Sequence, residues 1–217
     1  MNIFWFGQSC FQIVTGNNKE KSVSVVIDPF SEDIGLKLPK LEADILLVTH
    51  SHSDHNNVKA VSGNYFLISE PGEYEVKNIF IQGIQSFHDD SKGKERGENT
   101  IYTIEAEELK ICHLGDLGQK ELEKEQLEAI GEVDILMIPV GGVFTISYKE
   151  AIKIMSQIEP KIIIPMHYHL PKLKIKLDGV KKFLKSLGIK NLTPAKKLSI
   201  KKKDLSPEEA KIVLLKP

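Results

Sequence analysis

Thr49-His50-Ser51-His52-Ser53-Asp54-His55 follows directly on the unbroken apolar run Ile45-Leu46-Leu47-Val48. A short run of this kind reads as a strand buried on both faces. His50 and His52 are two residues apart, and in extended chain such residues point to the same side, so both imidazoles can reach one ion. Asp54 and His55 are adjacent and cannot share a side in a strand. The chain must turn there, and a turn into a helix would aim both side chains at a second point nearby. Three histidines and an aspartate in so short a stretch are costly to bury without a partner. A borderline-soft divalent metal supplies one. The competing reading, an exposed polar loop, fits poorly with a segment that leaves the middle of a sheet.

Outward from this point the N-terminal half reads as short strands. Ile3–Phe6, Phe11–Val14 and Val23–Ile27 are β-rich runs, separated by Gly7 and by a turn at Thr15-Gly16-Asn17-Asn18, and Asp28-Pro29 ends the third. Tyr65–Ile68, Ile79–Ile84, Thr100–Ile104 and Leu109–His113 are further strand candidates. The second half alternates. Gln119–Ile130 reads as a helix stopped by Gly131, and Asp134–Ile138 as a strand ending at Pro139. Ser147 and Glu150 form a capping box that opens a helix to about Ile158. Lys161–Ile164 is a strand ending at Pro165, Asp178–Leu187 a helix closed by Gly188, and Ile212–Leu215 a last edge strand. Strands first, then strand–helix alternation, predict an αββα sandwich or another layered α/β fold.

The segment His50-Ser51-His52-Ser53-Asp54-His55 resembles the H-x-H-x-D-H signature of the metallo-β-lactamase superfamily. That resemblance implies a four-layer αββα sandwich in a single domain spanning residues 1–217. It also implies further ligands, each after a strand. His88 in Ser86-Phe87-His88-Asp89-Asp90 fits the third histidine of a first metal. Asp116 in His113-Leu114-Gly115-Asp116 fits a bridging aspartate, and His167 in Pro165-Met166-His167-Tyr168 fits the last histidine. Within the superfamily the chain is similar to the small cytoplasmic zinc-dependent hydrolases related to ascorbate-6-phosphate lactonase. The segments carrying this likeness are Trp5–Phe11, Glu70–Tyr74, Arg96–Thr100, His113–Gly118, Pro139–Gly142 and Pro165–Tyr168. Members of that group commonly have Gly-His-Ser where this chain has Gly7-Gln8-Ser9.

The resemblance implies that His50, His52 and His88 hold one metal and Asp54, His55 and His167 a second, with Asp116 between them. Two divalent ions, zinc first and manganese or iron as alternatives, would give a metal-bound hydroxide that Asp54 orients. The reaction implied is hydrolysis of an ester, lactone or phosphoester. A small phosphodiesterase or nuclease is the competing enzyme, and a metal-binding protein without turnover the competing class. Oxygen-reducing di-iron members usually carry glutamate where His52 stands. His113 reads as a core histidine, and His169, Tyr168 and Thr145 as rim residues. Glu73 and Glu98 read as surface residues within reach of a ligand histidine.

Composition bounds the rest. The 217 residues are 41% hydrophobic and 27% charged, ordinary for a globular domain. No run approaches the roughly 18 apolar residues of a membrane span, and Met1–Val14 reads as strand rather than signal peptide, so the expected compartment is the cytoplasm and no membrane partner is expected. Cys10 and Cys112 are too far apart in sequence for a metal or redox motif and read as buried thiols. The net charge of −1 hides twelve lysines and one acid between Lys172 and Lys203. That block could attract an anionic small-molecule substrate or RNA. RNA is the less favoured, because lysine is the general choice: Arg96 is the sole arginine among 29 lysines and arginines. The sequence carries no signal of oligomeric state.

Overall fold

A computed structural model of the chain describes residues 1–16, 22–206 and 210–217. Asn17 and Asn18, read above as part of a turn, lie outside them. In chain order the strands are β1 (Asn2–Gly7), β2 (Cys10–Thr15), β3 (Val23–Ile27), β4 (Leu41–Glu42), β5 (Ile45–Leu47), β6 (Val61–Ser62), β7 (Phe66–Ile68) and β8 (Gly72–Val76). They continue with β9 (Ile79–Phe87), β10 (Glu98–Ala106), β11 (Leu109–His113), β12 (Ile135–Pro139), β13 (Ile162–Met166), β14 (Leu198–Ser199) and β15 (Lys211–Ile212). The helices are α1 (Lys124–Ile130), α2 (Tyr148–Ile158) and α3 (Lys181–Ser186).

The strands form two main sheets, ordered β14-β1-β2-β3-β5-β7 and β15-β13-β12-β11-β10-β9-β8. Alternate side chains of the first sheet, among them Trp5, Phe11, Ile27 and Leu47, join Ile81, Ile101, Ile104 and Ile111 of the second in one apolar core. Leu46, Val26 and Cys10 point the other way, into a separate cluster with Phe30 and Leu173. The β5 run is therefore buried on both faces, as its unbroken apolar sequence requires. Tyr102 on β10 ties the sheets together: its hydroxyl donates to the Val48 carbonyl oxygen at 3.0 Å.

The second sheet changes character at β11, which pairs antiparallel with β10 and parallel with β12. Parallel neighbours need crossovers, and α1 and α2 supply them. Ala151, Ile154 and Ile158 form the buried face of α2, and the Ser147 N–H donates to the Glu150 carboxylate at 2.6 Å, the capping contact written in the sequence. On the first sheet the outer layer consists of 3-10 turns at Glu32–Ile34 and Val58–Ala60 and of the chain around Leu170–Leu177. The architecture is the metallo-β-lactamase sandwich, with its outer layer on this side made from turns and loops.

Element ends differ from the sequence expectation for local reasons. The helix expected from Gln119 starts at Lys124, because residues 119–122 are held by side chains instead: Gln119 bonds the Glu121 carbonyl and Gln126, and the Leu122 N–H donates to Gln157. The helix expected from Asp178 starts at Lys181. Asp178 instead uses its N–H on the Gly141 carbonyl and accepts from His169 N–H. Edge strand β8, not expected from the sequence, alternates half-buried Gly72, Tyr74 and Val76 with exposed Glu73 and Glu75. Among the described residues no helix is long and apolar enough to cross a membrane.

Candidate metal centre

Three loops at the carboxyl ends of β5, β11 and β13, and the end of β9, bring the seven candidate ligands together. They form two groups, His50 with His52 and His88, and Asp54 with His55, Asp116 and His167. Within each group, one ligand atom per residue lies within 4.8 Å of the others. The split is the expected one, but its cause is not: β5 ends at Leu47, and bends at residues 49–52, rather than extended chain, bring His50 and His52 to one point, while the turn carries Asp54 and His55 to another. That turn is a single one, with His55 N–H and Asn56 N–H both donating to the His52 carbonyl, and no helix follows it directly.

One oxygen stands between the groups. Asp116 Oδ2 lies 3.2 Å from His55 Nε2, 3.2 Å from His167 Nε2 and 3.4 Å from His88 Nε2. Its Oδ1 accepts from the Ser9 hydroxyl, and its N–H donates to Asn99 Oδ1 at 2.9 Å. Despite that 3.2 Å approach, His55 Nε2 has no aligned hydrogen-bond partner, and neither have the buried His88 Nδ1, His167 Nδ1 and Gln8 Oε1 among the described residues. Buried polar atoms left in this state cost about 1–3 kcal/mol each. Five imidazoles, three of them with a buried nitrogen left unpaired, and two carboxylates are the donor set of a divalent cation, so the residues fit the ions that the signature implies.

Electrostatics follow the same geometry. Burial pushes the His50 imidazole down to about 2, helped by His55 and His88, so it stays neutral and able to donate a lone pair. Burial would raise Asp116, but His167 and His55 hold it well below the usual carboxylate range. Asp54 is likewise held low against burial by its contact with His55.

Several supporting residues were invisible to spacing. Asp28 accepts Thr49 N–H and Thr49 Oγ1, both at 2.8 Å, and meets His55 Nδ1 at 2.9 Å. Thr49 Oγ1 in turn lies 3.0 Å from His50 Nδ1. One carboxylate thus orients a histidine of each group, the role that partners of metal-ligating imidazoles play. The only sequence hint was an acid at a strand end. Gln8 sits 3.1 Å from His167 Nε2 and 3.4 Å from Asp54 Oδ2. Gln8 owes its positive φ of 47° to the β1–β2 hairpin turn, whereas Asp28 and His167, both at 48°, have no such turn, strain of a kind that gathers at functional sites. Two glycines allow the loops to close: a Cβ on Gly118 would lie 2.3 Å from the His88 carbonyl, and one on Gly141 2.1 Å from the His167 oxygen.

The remaining candidates lie outside. His113 is fully buried and structural: Nε2 meets the Ser9 carbonyl at 2.9 Å and Nδ1 accepts Gly115 N–H. His169 is exposed, Tyr168 packs on Trp5, and Glu98 bonds Gln85. Glu73 is exposed on β8, and the Thr145 hydroxyl donates to the Ile146 carbonyl. Cys10 and Cys112 are buried free thiols in different clusters, and burial pushes Cys112 up to about 12.

A cavity of about 390 Å³ opens over the two groups. His52, Asp54, His88, Asp116 and His167 form its floor, and Arg96, Phe144 and Ile175 its wall. A roomier cleft of about 490 Å³ lies elsewhere, among Glu75, Glu105 and Lys110. It holds no convergent donor set, so chemistry rather than volume marks the site.

The fold and this donor set define a member of the β-lactamase superfamily: the sequence model of that superfamily's domain matches residues 2–167, and the chain belongs to it. It is a metal-dependent hydrolase of the metallo-β-lactamase type. A UPF0173 metal-dependent hydrolase of Thermococcus onnurineus is 31% identical, over 78% of this chain and 85% of that one. One of Thermoplasma acidophilum is 29% identical, over 78% and 84%. A candidate Zn-dependent hydrolase of the metallo-β-lactamase superfamily from Thermotoga maritima superposes with a TM-score of 0.79 at 36% identity, covering 99% of this chain and 97% of that one. A metallo hydrolase of Ignicoccus hospitalis shares the fold at 18% identity and a TM-score of 0.64, over 92% and 99%.

Proposed function

We propose that the chain hydrolyses an ester, lactone or phosphoester bond in a small molecule, using two divalent cations, zinc foremost. The observation that carries this reading is the single oxygen Asp116 Oδ2 facing both ligand groups at 3.2–3.4 Å. A purely structural site needs four closed ligands and no shared oxygen. Nitrogen-rich ligation favours zinc, with manganese and iron as alternatives.

His50, His52 and His88 would hold one ion, Asp54, His55 and His167 the other, and Asp116 both. Bound there, the pair supplies Lewis acidity and a water whose pKa falls from about 16 toward 7. The protein supplies the rest. Asp28 fixes the ring planes of His55 and, through Thr49, of His50. Asp54, with its side chain 18% exposed, lines the cavity and would orient the attacking water. The cavity walls set which small molecule can lie over the floor. The similarity to Zn-dependent hydrolases, and to the lactonase-like group, supports an acyl or phosphoryl substrate.

The Lys172–Lys203 block is spread over the molecule: Lys174 and Lys176 flank Ile175 of the cavity wall, and others lie elsewhere. Lys182 pairs with Asp178, Lys197 lies over Phe4, and Lys202 pairs with Asp134 at the opposite end of the sheet. Nucleic acid is accordingly not the favoured substrate.

The test is metal analysis joined to turnover. Wild-type protein is expected to hold two divalent ions per chain and to hydrolyse some member of a lactone, ester and phosphodiester panel. Chelation, His52→Ala and Asp116→Ala should each abolish that turnover. A single tightly held ion with no turnover would leave a structural site and end the proposal.

A further inference from the structure

We propose that Arg96 recognises a second, negatively charged oxyanion on the substrate, so that the natural substrate is an anionic small molecule held between the metal floor and this guanidinium. The inference rests on the two-metal hydrolase reading above and names the substrate class for that site.

Arg96 is the only guanidinium in a chain that otherwise uses lysine for positive charge. A guanidinium presents planar paired donors that match a carboxylate or phosphate, which an ammonium cannot do. This one lies on the wall of the cavity over the ligand groups. Among the described residues no carboxylate comes within 4.0 Å of it, whereas nearby Asp90 is taken by Lys120. Its charge is uncommitted.

The chain spends structure on placing it. Asp89, the residue after ligand His88, accepts Ser91 N–H, Ser91 Oγ and Gly93 N–H at Oδ1, and Glu95 N–H and Arg96 N–H at Oδ2, all at 2.8–2.9 Å. Those bonds close residues 89–96 into one loop and fix the Arg96 backbone relative to His88. The guanidinium then lies over the Phe144 ring, 4.8 Å from its centroid. Phe144 is itself held by strain: Phe144 N–H donates to the Gly142 carbonyl at 2.7 Å across Val143, whose φ is +65°. A β-branched residue adopts that conformation only under constraint. Two separate loops are therefore built to set a cation and its aromatic platform beside the metal groups. Phe144 and Ile175 leave the wall between them apolar, which suits a short hydrocarbon linker joining the scissile group to the anion.

The test uses metal-chelating hydroxamates, which bind a loaded centre without turnover. Acetohydroxamic acid is compared by calorimetry with hydroxamates carrying a terminal carboxylate, or a terminal phosphonate, on chains of graded length. Wild-type zinc-loaded protein should prefer one anionic tail by about tenfold, the size of one charge-assisted pair and equal to about 1.4 kcal/mol. Arg96→Gln should erase the preference and Arg96→Lys retain only part of it. The carboxylate and phosphonate arms identify the oxyanion. Equal affinity for neutral and anionic compounds in wild type, or an undiminished preference in Arg96→Gln, overturns the anion site while leaving the metal centre intact. If no hydroxamate binds zinc-loaded wild type, the metal reading fails and this proposal falls with it.

Discussion

Asp116 and Asp134 are both buried aspartates on neighbouring parallel strands, one beyond the carboxyl end of β11 and the other before the amino end of β12. Their surroundings could hardly differ more. Asp134 is fully answered: Lys202 at 2.8 Å, Lys161 at 3.1 Å and the Lys110 N–H at 3.0 Å. Asp116 faces three imidazoles that reach it without aligned hydrogen bonds for every nitrogen. Backbone conformation repeats the contrast. At the Asp134 end, Lys77-Asn78 and Glu107-Glu108 are pairs of positive-φ residues, the pattern of two-residue hairpin turns. At the Asp116 end, Asp28, Val143 and His167 take positive φ outside any hairpin, and only Gln8 lies in one, the two-residue turn between β1 and β2. One end of the sheet is satisfied structure. The other carries strain and unspent lone pairs that only a ligand can use.

Substitutions can sharpen that contrast. The largest effect is expected at Asp28. Asp28→Asn should lower metal affinity by about 10–100-fold, the usual cost of losing the carboxylate behind a ligand histidine, read by competition with a chromophoric chelator. Unchanged affinity would mean that Thr49 and His55 are oriented without it. Next comes Gly141→Ala. Its Cβ would press on the His167 carbonyl, costing about 1–3 kcal/mol in thermal denaturation and loosening the second ligand group. Gly179→Ala, with open space around its Cβ, is the control and should be nearly silent. The smallest effect is expected at the far end. Asp134→Asn should leave metal content intact and cost about 1 kcal/mol or less at neutral pH. Burial raises its carboxyl, but Lys202, the Lys110 N–H and Lys161 outweigh that and lower it. A lowered carboxyl stabilises the fold above its unfolded value near 4 and loses that contribution as pH falls below it. The cost of Asp134→Asn should therefore shrink from pH 7 to pH 3. A cost that grew instead would break the assignment.

Much of this was legible in the sequence where two constraints coincided. The β5 run and the ligand segment after it are adjacent, so the burial pattern put His50, His52, Asp54 and His55 just past a strand end, while the bends that gather His50 and His52 had no signal in side-chain parity. The strands β11 and β13 are apolar runs closed by Leu114-Gly115 and Pro165-Met166, which put Asp116 and His167 at strand ends. The α2 capping box announced its own start. Spacing was blind to residues that act across the sheets. Asp28 reaches His55 over 27 residues of chain and Gln8 reaches His167 over 159, and the local hints, an acid at a strand end and the Gly7-Gln8-Ser9 departure, name no partner. The short β8 was missed although Tyr74 and Val76 alternate with Glu73 and Glu75, and the two-residue β14 is too short for any pattern to show.

The seven candidate ligands come from both sheets: His50, His52, Asp54 and His55 follow β5 in the first, and His88, Asp116 and His167 follow β9, β11 and β13 in the second. An ion pair seated among them would act as a rivet through the sandwich. The two sheets could then no longer slide or part at this edge without breaking coordination bonds. Metal loading should accordingly slow amide exchange in strands that carry no ligand at their ends, β2 and β10 among them, and raise the melting temperature with free ion concentration.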